Sequence, residues 1–354
     1  MARRRSPAVL LLLVGGLLLA LLSPLLATVP IPLSDELWIL VHQGSGGLLL
    51  ASNCPPGTNA FHCVAWTEIL WEAILPQVLL ALLVGAALGL SGAALQGIFR
   101  NPLADPYLLG ISSGGTLGAS FLFIFQLGLA EANLVLPLLA FLGSLGTGGV
   151  ILLASRYLGG SVETLLLVGV ALANVLSAIL SVVLLFNPFG SIQVSFWLLG
   201  GLGGASWDRD GLVLGGLLMA GAPLLLLGRE LNILQLGHDV AQSLGVNSDR
   251  VRHRSILLAS VVTSVAVAFA GIIGFVGLIA PHVVRRVWSS DYRAVLPGSA
   301  LVGAAFLLLA HDIAVIAIPS VVLPVGLFTA FAGAPFFFLL LVRHRRGIFM
   351  GEAR

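Results

Sequence analysis

The chain has 354 residues, of which 58% are hydrophobic and 9% charged, with a mean hydropathy of +1.08 and a formal net charge of +2. A soluble domain of this length does not carry so few charges, which excludes soluble enzymes and leaves no reason to expect a nucleic-acid partner. All 17 basic residues are arginines. An ATP-binding P-loop needs a lysine to reach the phosphates, so nucleotide chemistry is not expected on this chain.

Apolar runs long enough to cross a hydrocarbon core of about 30 Å recur along the whole sequence. The expected fold is an all-α polytopic membrane protein with about ten transmembrane helices, near 8–29, 68–95, 107–127, 134–156, 164–185, 210–228, 255–271, 273–289, 294–316 and 322–342. Residues 1–354 form one transmembrane domain, with an outer loop at 30–67 and an inner loop at 230–254. Arginines cluster at 3–5, 100, 156, 229–254, 285–293 and 343–346, after alternate spans, and only Arg209 breaks the parity. The positive-inside rule then places both termini in the cytoplasm of a cell-membrane protein. The first run resembles a signal peptide but must be retained, because its loss would put every arginine cluster on the wrong side.

The 30–67 loop holds both cysteines, Cys54 and Cys63. Outside the cell they either remain free thiols or close a short disulfide loop worth about 2–3 kcal/mol in the chain-entropy model. His42 and His62 lie nearby without a zinc-binding spacing, so no metal site is expected.

The stretch Ser91–Gly118 is polar at its centre, with Arg100, Asn101, Pro102, Asp105 and Pro106 between two apolar segments. Prolines four residues apart are incompatible with one ordinary helix, so the chain turns here, at a membrane face. Gly110, Gly114 and Gly118 then offer a smooth helix face for a closely packed neighbour. The stretch is either a tight loop between packed spans or a functional element.

Beyond the fifth run, Asn187-Pro188-Phe189-Gly190 leads into an amphipathic element at the outer face, with Trp197 and Trp207 at interface depth. Gly200, Gly201, Gly203 and Gly204 have no β–α unit around them and read as a flexible or closely packed turn. The polar stretch Glu230–Arg254 carries Leu231, Leu234, Leu236, Val240, Leu244 and Val246 in two helical pieces separated at Gly237 and Gly245. That pattern fits a docking surface for a soluble partner better than a solvated connector. Further on, Pro281 frees a carbonyl within the eighth span. His282 and the pair His311-Asp312 sit near span ends that water reaches, where capping or packing explains them.

Four motifs in order, GAALQGIFRNPLADPYLLGISSGG (92–115), LGHDVAQSLGV (236–246), GIIGFVGLIAPHVVR (271–285) and LPVGLFTAFAGAPFF (323–337), resemble the FecCD-like permeases, which import iron chelates, haem and cobalamin. The resemblance covers residues 68–343. It implies a type II ABC importer permease: a ten-helix subunit that pairs with a second permease copy or a related chain. Two ATP-binding subunits would dock inside, carrying ATP and magnesium, and a solute-binding protein would deliver cargo outside. The chain itself would have no catalytic residue and bind no cofactor.

By the same resemblance, Gly237, Asp239, Ala241, Leu244 and Gly245 couple to the ATPase. Asn101, Leu103, Val162 and Glu163 form the cytoplasmic gate, Phe186, Asn187 and Pro188 the outer gate, and Asn174, Ser177 and Ser181 line the path. One departure concerns docking outside. Where the family has Arg-x-Pro-Arg, this chain reads Ile74-Leu75-Pro76-Gln77, and the outer face offers Asp35, Glu36, Glu68, Glu72, Asp208 and Asp210 with Arg209. The expected function is import of a ferric siderophore or haem by alternating access, with cobalamin as the alternative cargo. An ion-coupled secondary transporter would need a carboxylate relay, and no span shows one. An intramembrane enzyme would need a catalytic pair from His282, His311 and Asp312.

Overall fold

A computed structural model describes residues 6–26, 31–44, 54–55, 57–124, 129–158, 162–186, 188–318 and 323–351. Each of the ten expected segments contains helix, and no strand occurs among the described residues. The first helix is α1 (Ser6–Leu22), followed by a 3₁₀ turn over Ser23–Leu26. Next in the chain, α2 (Leu33–Gly44) precedes the Cys54–Cys63 disulfide.

The centre is a single rod. Helix α3 (Ala60–Glu68) passes through one wide π turn, Ile69–Ile74, into α4 (Leu75–Phe99). Pro76 lies just inside α4, and its missing N–H loosens the turn before it. The apolar stretch of this rod is 83% buried. It packs against α13 (Ser248–Ala270), α14 (Val276–Val287) and α15 (Tyr292–Ile316). Backbones touch where α4 is smooth: a Cβ on Gly89 would lie 2.1 Å from the Ser299 carbonyl oxygen, and one on Gly85 2.4 Å from that of Gly303. Between membrane helices, where burial from water offers no gain, such close van der Waals approach holds the pair together.

Helix α5 (Ile111–Ile124) packs in the same way on α6 (Leu129–Tyr157). A Cβ on Gly114 would meet the Gly143 carbonyl oxygen at 2.4 Å, and one on Gly118 that of Leu139 at 2.1 Å. Gly110 does not share this face. Its φ of +73° caps the 3₁₀ turn Pro106–Leu109 and sets it against Gly169 and Ala173 of α7 (Val162–Phe186).

Six helices are long and apolar enough to cross a membrane among the described residues: Phe61–Phe99, Leu134–Tyr157, Thr164–Phe186, Trp207–Leu226, Ser248–Ala270 and Tyr292–Ile316. Helices α5 and α14, of 14 and 12 residues, reach only about 18–21 Å. The expected span 273–289 is therefore helical only over Val276–Val287. The break expected between the seventh and eighth spans falls at Gly271–Phe275, where Gly271 (φ +68°) and Phe275 (φ +67°) are left-handed, and Pro281 stays inside α14. The break is held by α8 (Pro188–Leu198) and the chain after it: the Trp197 carbonyl oxygen would lie 2.4 Å from a Gly271 Cβ, and the Gly201 N–H donates to the Ala270 carbonyl at 2.9 Å.

His311 and Asp312 are enclosed rather than open to water, with exposures of 5% and 3%. The turn after α1 covers them, and the Ser23 hydroxyl donates to Asp312 at 2.5 Å. His282 packs edge-on against Phe336 of α16 (Val325–Gly351). Helix α7 is the opposite of the rod: only 11% of its apolar stretch is buried, leaving Leu167, Ile179, Leu185 and Phe186 outward.

Candidate translocation and coupling site

The turn after α4 is built from side chains that substitute for helix partners. Arg100 ends α4 in the left-handed region (φ +47°). Asn101 then accepts from the Leu103 N–H at 2.9 Å, and Asp105 from the Tyr107 N–H at 2.8 Å, so each Asx residue caps the backbone just ahead of it. This turn does not stay at the membrane face. Asp105 and Pro106 both border Gly277, whose other neighbours are Leu88 and Gly92 on α4. Leu88 lies about 16 Å above Phe99 along the helix. The chain after Arg100 thus climbs back into the bundle and replaces the missing first turns of α5.

Beside that re-entrant turn opens a cavity of about 680 Å³. Leu103, Asp105 and Tyr107 form one wall, Leu199 and Phe275 the second, and Leu327 of α16 the third. Its surface is apolar but for the Asp105 carboxylate and the Tyr107 side chain, and its size suits a drug-sized ligand.

Among the expected gate residues, Leu103 faces the cavity and Asn101 shapes the turn that carries it. Val162 and Glu163 open α7, with side chains outside the described part. Asn187 is likewise outside the described residues, Pro188 opens α8, and Phe186 is 82% exposed at the end of α7. Asn174, Ser177 and Ser181 lie exposed on α7 and do not line the cavity. Asn174 donates to the Val170 carbonyl at 2.8 Å and Ser181 to that of Ser177 at 2.9 Å, so their polar groups are satisfied within the helix.

The inner loop folds into α11 (Gly228–Gln235) and α12 (His238–Ser243), after the span formed by α9 (Trp207–Gly216), a π turn and α10 (Ala222–Leu226). Gly237 (φ +118°) and Gly245 (φ +77°) bracket α12, and nothing lies within 4 Å of a Cβ built on either. Backbone conformation, not crowding, requires glycine there. The apolar positions divide into two sets. Leu231, Leu234 and Ala241 are buried anchors, whereas Leu236, Val240 and Leu244 project outward, 61%, 43% and 57% exposed. Asp239 is exposed beside them. His238, Gln242, Gly245, Asn247 and Asp249 surround a recess of about 260 Å³.

Four polar residues that the sequence did not single out, together with Arg285 of an arginine cluster, connect this loop to the cavity. Gln235 donates to the Gly97 carbonyl at 2.7 Å. One residue earlier on α4, Gln96 donates to the Gly277 carbonyl at 3.1 Å and accepts from the half-buried Arg285 guanidinium. Asn232 donates to Asp291 at 2.6 Å and accepts from the Tyr292 N–H at 2.9 Å, which ties α11 to the start of α15. The Arg293 N–H and the Asn232 amide hold the Asp291 carboxyl below the usual carboxylate range. A glutamine within an apolar run was the only sequence signal for this network.

The outer acids also divide. Glu36 and Asp210 are buried, 3% and 1% exposed, while Glu68, Glu72 and Asp208 face outward. The Trp207 indole donates to the Trp71 carbonyl at 3.0 Å, with ring centroids 5.7 Å apart, and so brings Glu72 and Asp208 to one patch. Arg209 turns back to the Gly204 carbonyl at 2.5 Å.

Comparison with known proteins follows the same outline. Residues 7–343 match the FecCD transport family. The hemin transport system permease protein HmuU of Yersinia pestis is 41% identical over 281 residues, covering 77% of this chain and 82% of that one. The cobalamin import system permease protein BtuC of Halobacterium salinarum is 41% identical over 272 residues, covering 75% and 71%. A solved structure described as a metal-chelate type ABC transporter in an inward-facing conformation superposes with a TM-score of 0.74 at 30% identity, covering 87% of this chain and 97% of that one. This multi-pass membrane protein is a member of the FecCD transport family of permeases.

Proposed function

We propose that the chain is the permease subunit of an ATP-driven importer for an iron chelate, a ferric siderophore or haem, in the cell membrane with both termini cytoplasmic. A second permease copy or a related chain covers the bare face of α7, and the path runs between the two subunits. Two ATP-binding subunits carry ATP and magnesium and grip α12, and a solute-binding protein delivers cargo outside. The chain binds no cofactor and performs no covalent step.

The observation that carries this reading is the physical continuity from loop to cavity. Partner movement against Leu236, Val240 and Leu244 would shift α11. Through Gln235, α11 is bonded to the same end of α4 whose Gln96 holds Gly277 beside Asp105. Closing of the ATPase pair opens the path outward, and hydrolysis resets the turn at Asn101 and Leu103. Mostly apolar walls hold a bulky cargo loosely, which permits release. The hemin and cobalamin relatives are equally similar to this chain, so cobalamin is the second cargo to assay.

The test is reconstitution. Proteoliposomes holding the permease with its ATPase should accumulate chelate only with ATP and binding protein. Replacing Val240 and Leu244 by aspartate should abolish ATPase capture without unfolding the exposed surface. Accumulation against a gradient by the permease alone would overturn the proposal.

A further inference from the structure

A groove on the outside of the bundle, between α6 and α13, has no part in the path described above. It encloses about 600 Å³ and is lined by Gly146, Gly149, Leu153, Arg156, Arg254 and Leu257, among others. Its floor is unusual for this protein. Gly143 and Gly148, on the same helix, are crowded by neighbouring atoms at 2.2 Å and 2.8 Å from a built Cβ. Gly146 and Gly149 meet nothing within 4 Å. Those two glycines leave room that this chain does not fill.

Charge is confined to one end. Arg156 lies at the end of α6, and His253 and Arg254 near the start of α13, both on the arginine-rich side of the membrane. Arg252 next door is paired with Asp249 at 3.4 Å, and the His253 Nδ1 is 2.7 Å from the Asp249 carbonyl oxygen. Arg156 and Arg254 have no ion-pair partner among the described residues. From Arg156 to Gly146 the groove descends about 15 Å, the depth of one leaflet of a hydrocarbon core of about 30 Å.

We propose that this groove is a binding site for one anionic phospholipid of the arginine-rich leaflet. Its phosphate sits between Arg156 and Arg254, and an acyl chain lies over Gly146 and Gly149 against Leu153 and Leu257. An apolar trough as long as one leaflet, with two uncompensated guanidinium groups at its water end, matches that molecule in charge, polarity and length. A free anion would use the arginines and leave the trough empty. A zwitterionic lipid would fill the trough and place an ammonium near two cations.

The test uses the full-length permease, purified and stripped of lipid, then titrated separately with phosphatidylglycerol, phosphatidylcholine and inorganic phosphate while lipid retention and thermal stability are read. Phosphatidylglycerol should be retained and should raise Tm; phosphatidylcholine should bind at least about tenfold more weakly, since each surface arginine favours an anionic lipid. Arg156→Gln with Arg254→Gln should erase that preference and leave weak phosphatidylcholine binding intact. Gly146→Leu with Gly149→Leu should block both lipids while leaving the lipid-free Tm within about 2 °C, because the added side chains enter empty space. A photoreactive anionic lipid should label 146–156 and 253–257 of the unmutated protein, which reads the site even where a variant fails to fold. Retention unchanged by the arginine pair, an equal Tm gain from inorganic phosphate, labelling elsewhere, or loss of subunit pairing in the glycine variant would each overturn the proposal.

Discussion

Gln96 on α4 donates to the carbonyl oxygen of Gly277 at 3.1 Å, across 181 positions of sequence, and its own carbonyl oxygen receives the Arg285 guanidinium. Two elements that border the cavity are thereby fixed to the helix end that Gln235 of α11 also grips. A hydrogen bond to a charged group contributes about 1.5–3 kcal/mol, and losing Gln96 leaves the half-buried Arg285 without this acceptor. Gln96→Leu should therefore lower the unfolding midpoint and, in the assembled complex, uncouple the two ends. ATP hydrolysis should change by less than about twofold while transport per ATP falls at least about tenfold, a shift of ~1.4 kcal/mol. Gln96→Glu keeps an acceptor for Arg285 and loses the donor to Gly277, so it should restore stability more than transport. Equal losses of hydrolysis and transport in Gln96→Leu would show that the bond is structural only.

A second link depends on pH. Asp291 caps α15 through the Arg293 N–H at 2.9 Å and binds the Asn232 amide of α11 at 2.6 Å. Those bonds lower its folded-state pKa below the unfolded value of 3.8. In that window the unfolded chain binds the proton first, so the stabilisation is complete above about pH 4 and is lost as pH falls through the depressed folded value. Asp291→Ala should cost about 1 kcal/mol at pH 7, as for loss of a helix cap. The gap from the unmutated protein should narrow below pH 4, read as Tm against pH. A gap independent of pH would remove the carboxylate from the explanation.

Close packing makes a separate prediction. Gly89 of α4 faces the Ser299 carbonyl of α15 with 2.1 Å left for a Cβ. Gly89→Val must push the two helices apart, and overpacking of this kind costs typically about 1–3 kcal/mol. Gly149→Val, on the open groove of α6 where nothing lies within 4 Å of a Cβ, should change stability by under about 1 kcal/mol. Equal Tm losses for the two would contradict the difference in packing, since the small gain in helix propensity from Gly to Val is the same at both sites.

Much of this was legible because membrane helices declare themselves by composition. The glycine spacing marked Gly114 and Gly118 as a face for a closely packed neighbour, which is α6, and Gly237 and Gly245 as helix breaks, which bracket α12. Gly110 was misread because a left-handed cap and a smooth face call for the same residue. The expected spans 255–271 and 273–289 already put a boundary beside Gly271; what no local signal recorded is the left-handed Phe275, which delays the start of α14 to Val276. The return of Asp105 to the depth of Leu88 was hidden too, since an Asp-Pro pair reads as a surface turn wherever it lies. Pairings such as Gln96 with Arg285 depend on which helices meet, and a single sequence does not supply that.

The outer surface bears on how cargo arrives. Glu36 and Asp210 are turned inward, so the acids available to a binding protein are the exposed Glu68, Glu72 and Asp208 and the half-buried Asp35, which accepts from Ser34 and Thr58; the Trp207–Trp71 hydrogen bond brings Glu72 and Asp208 together. Ile74-Leu75-Pro76-Gln77 supplies no arginine at the place where the family has two. A binding protein that docks through acids would meet like charge here, whereas one with basic groups would be drawn in, an attraction that acts mainly on the association rate and weakens with salt. Reversing Glu72 and Asp208 to arginine should slow association of the partner at least about tenfold at low salt. The effect should shrink above about 0.3 M salt, where the Debye length is below 8 Å. Exchanging acids on the partner for alanine should leave transport nearly unchanged. Faster association after reversal, or a large transport loss from the partner's alanines, would mean that the arginines come from a second, different permease chain.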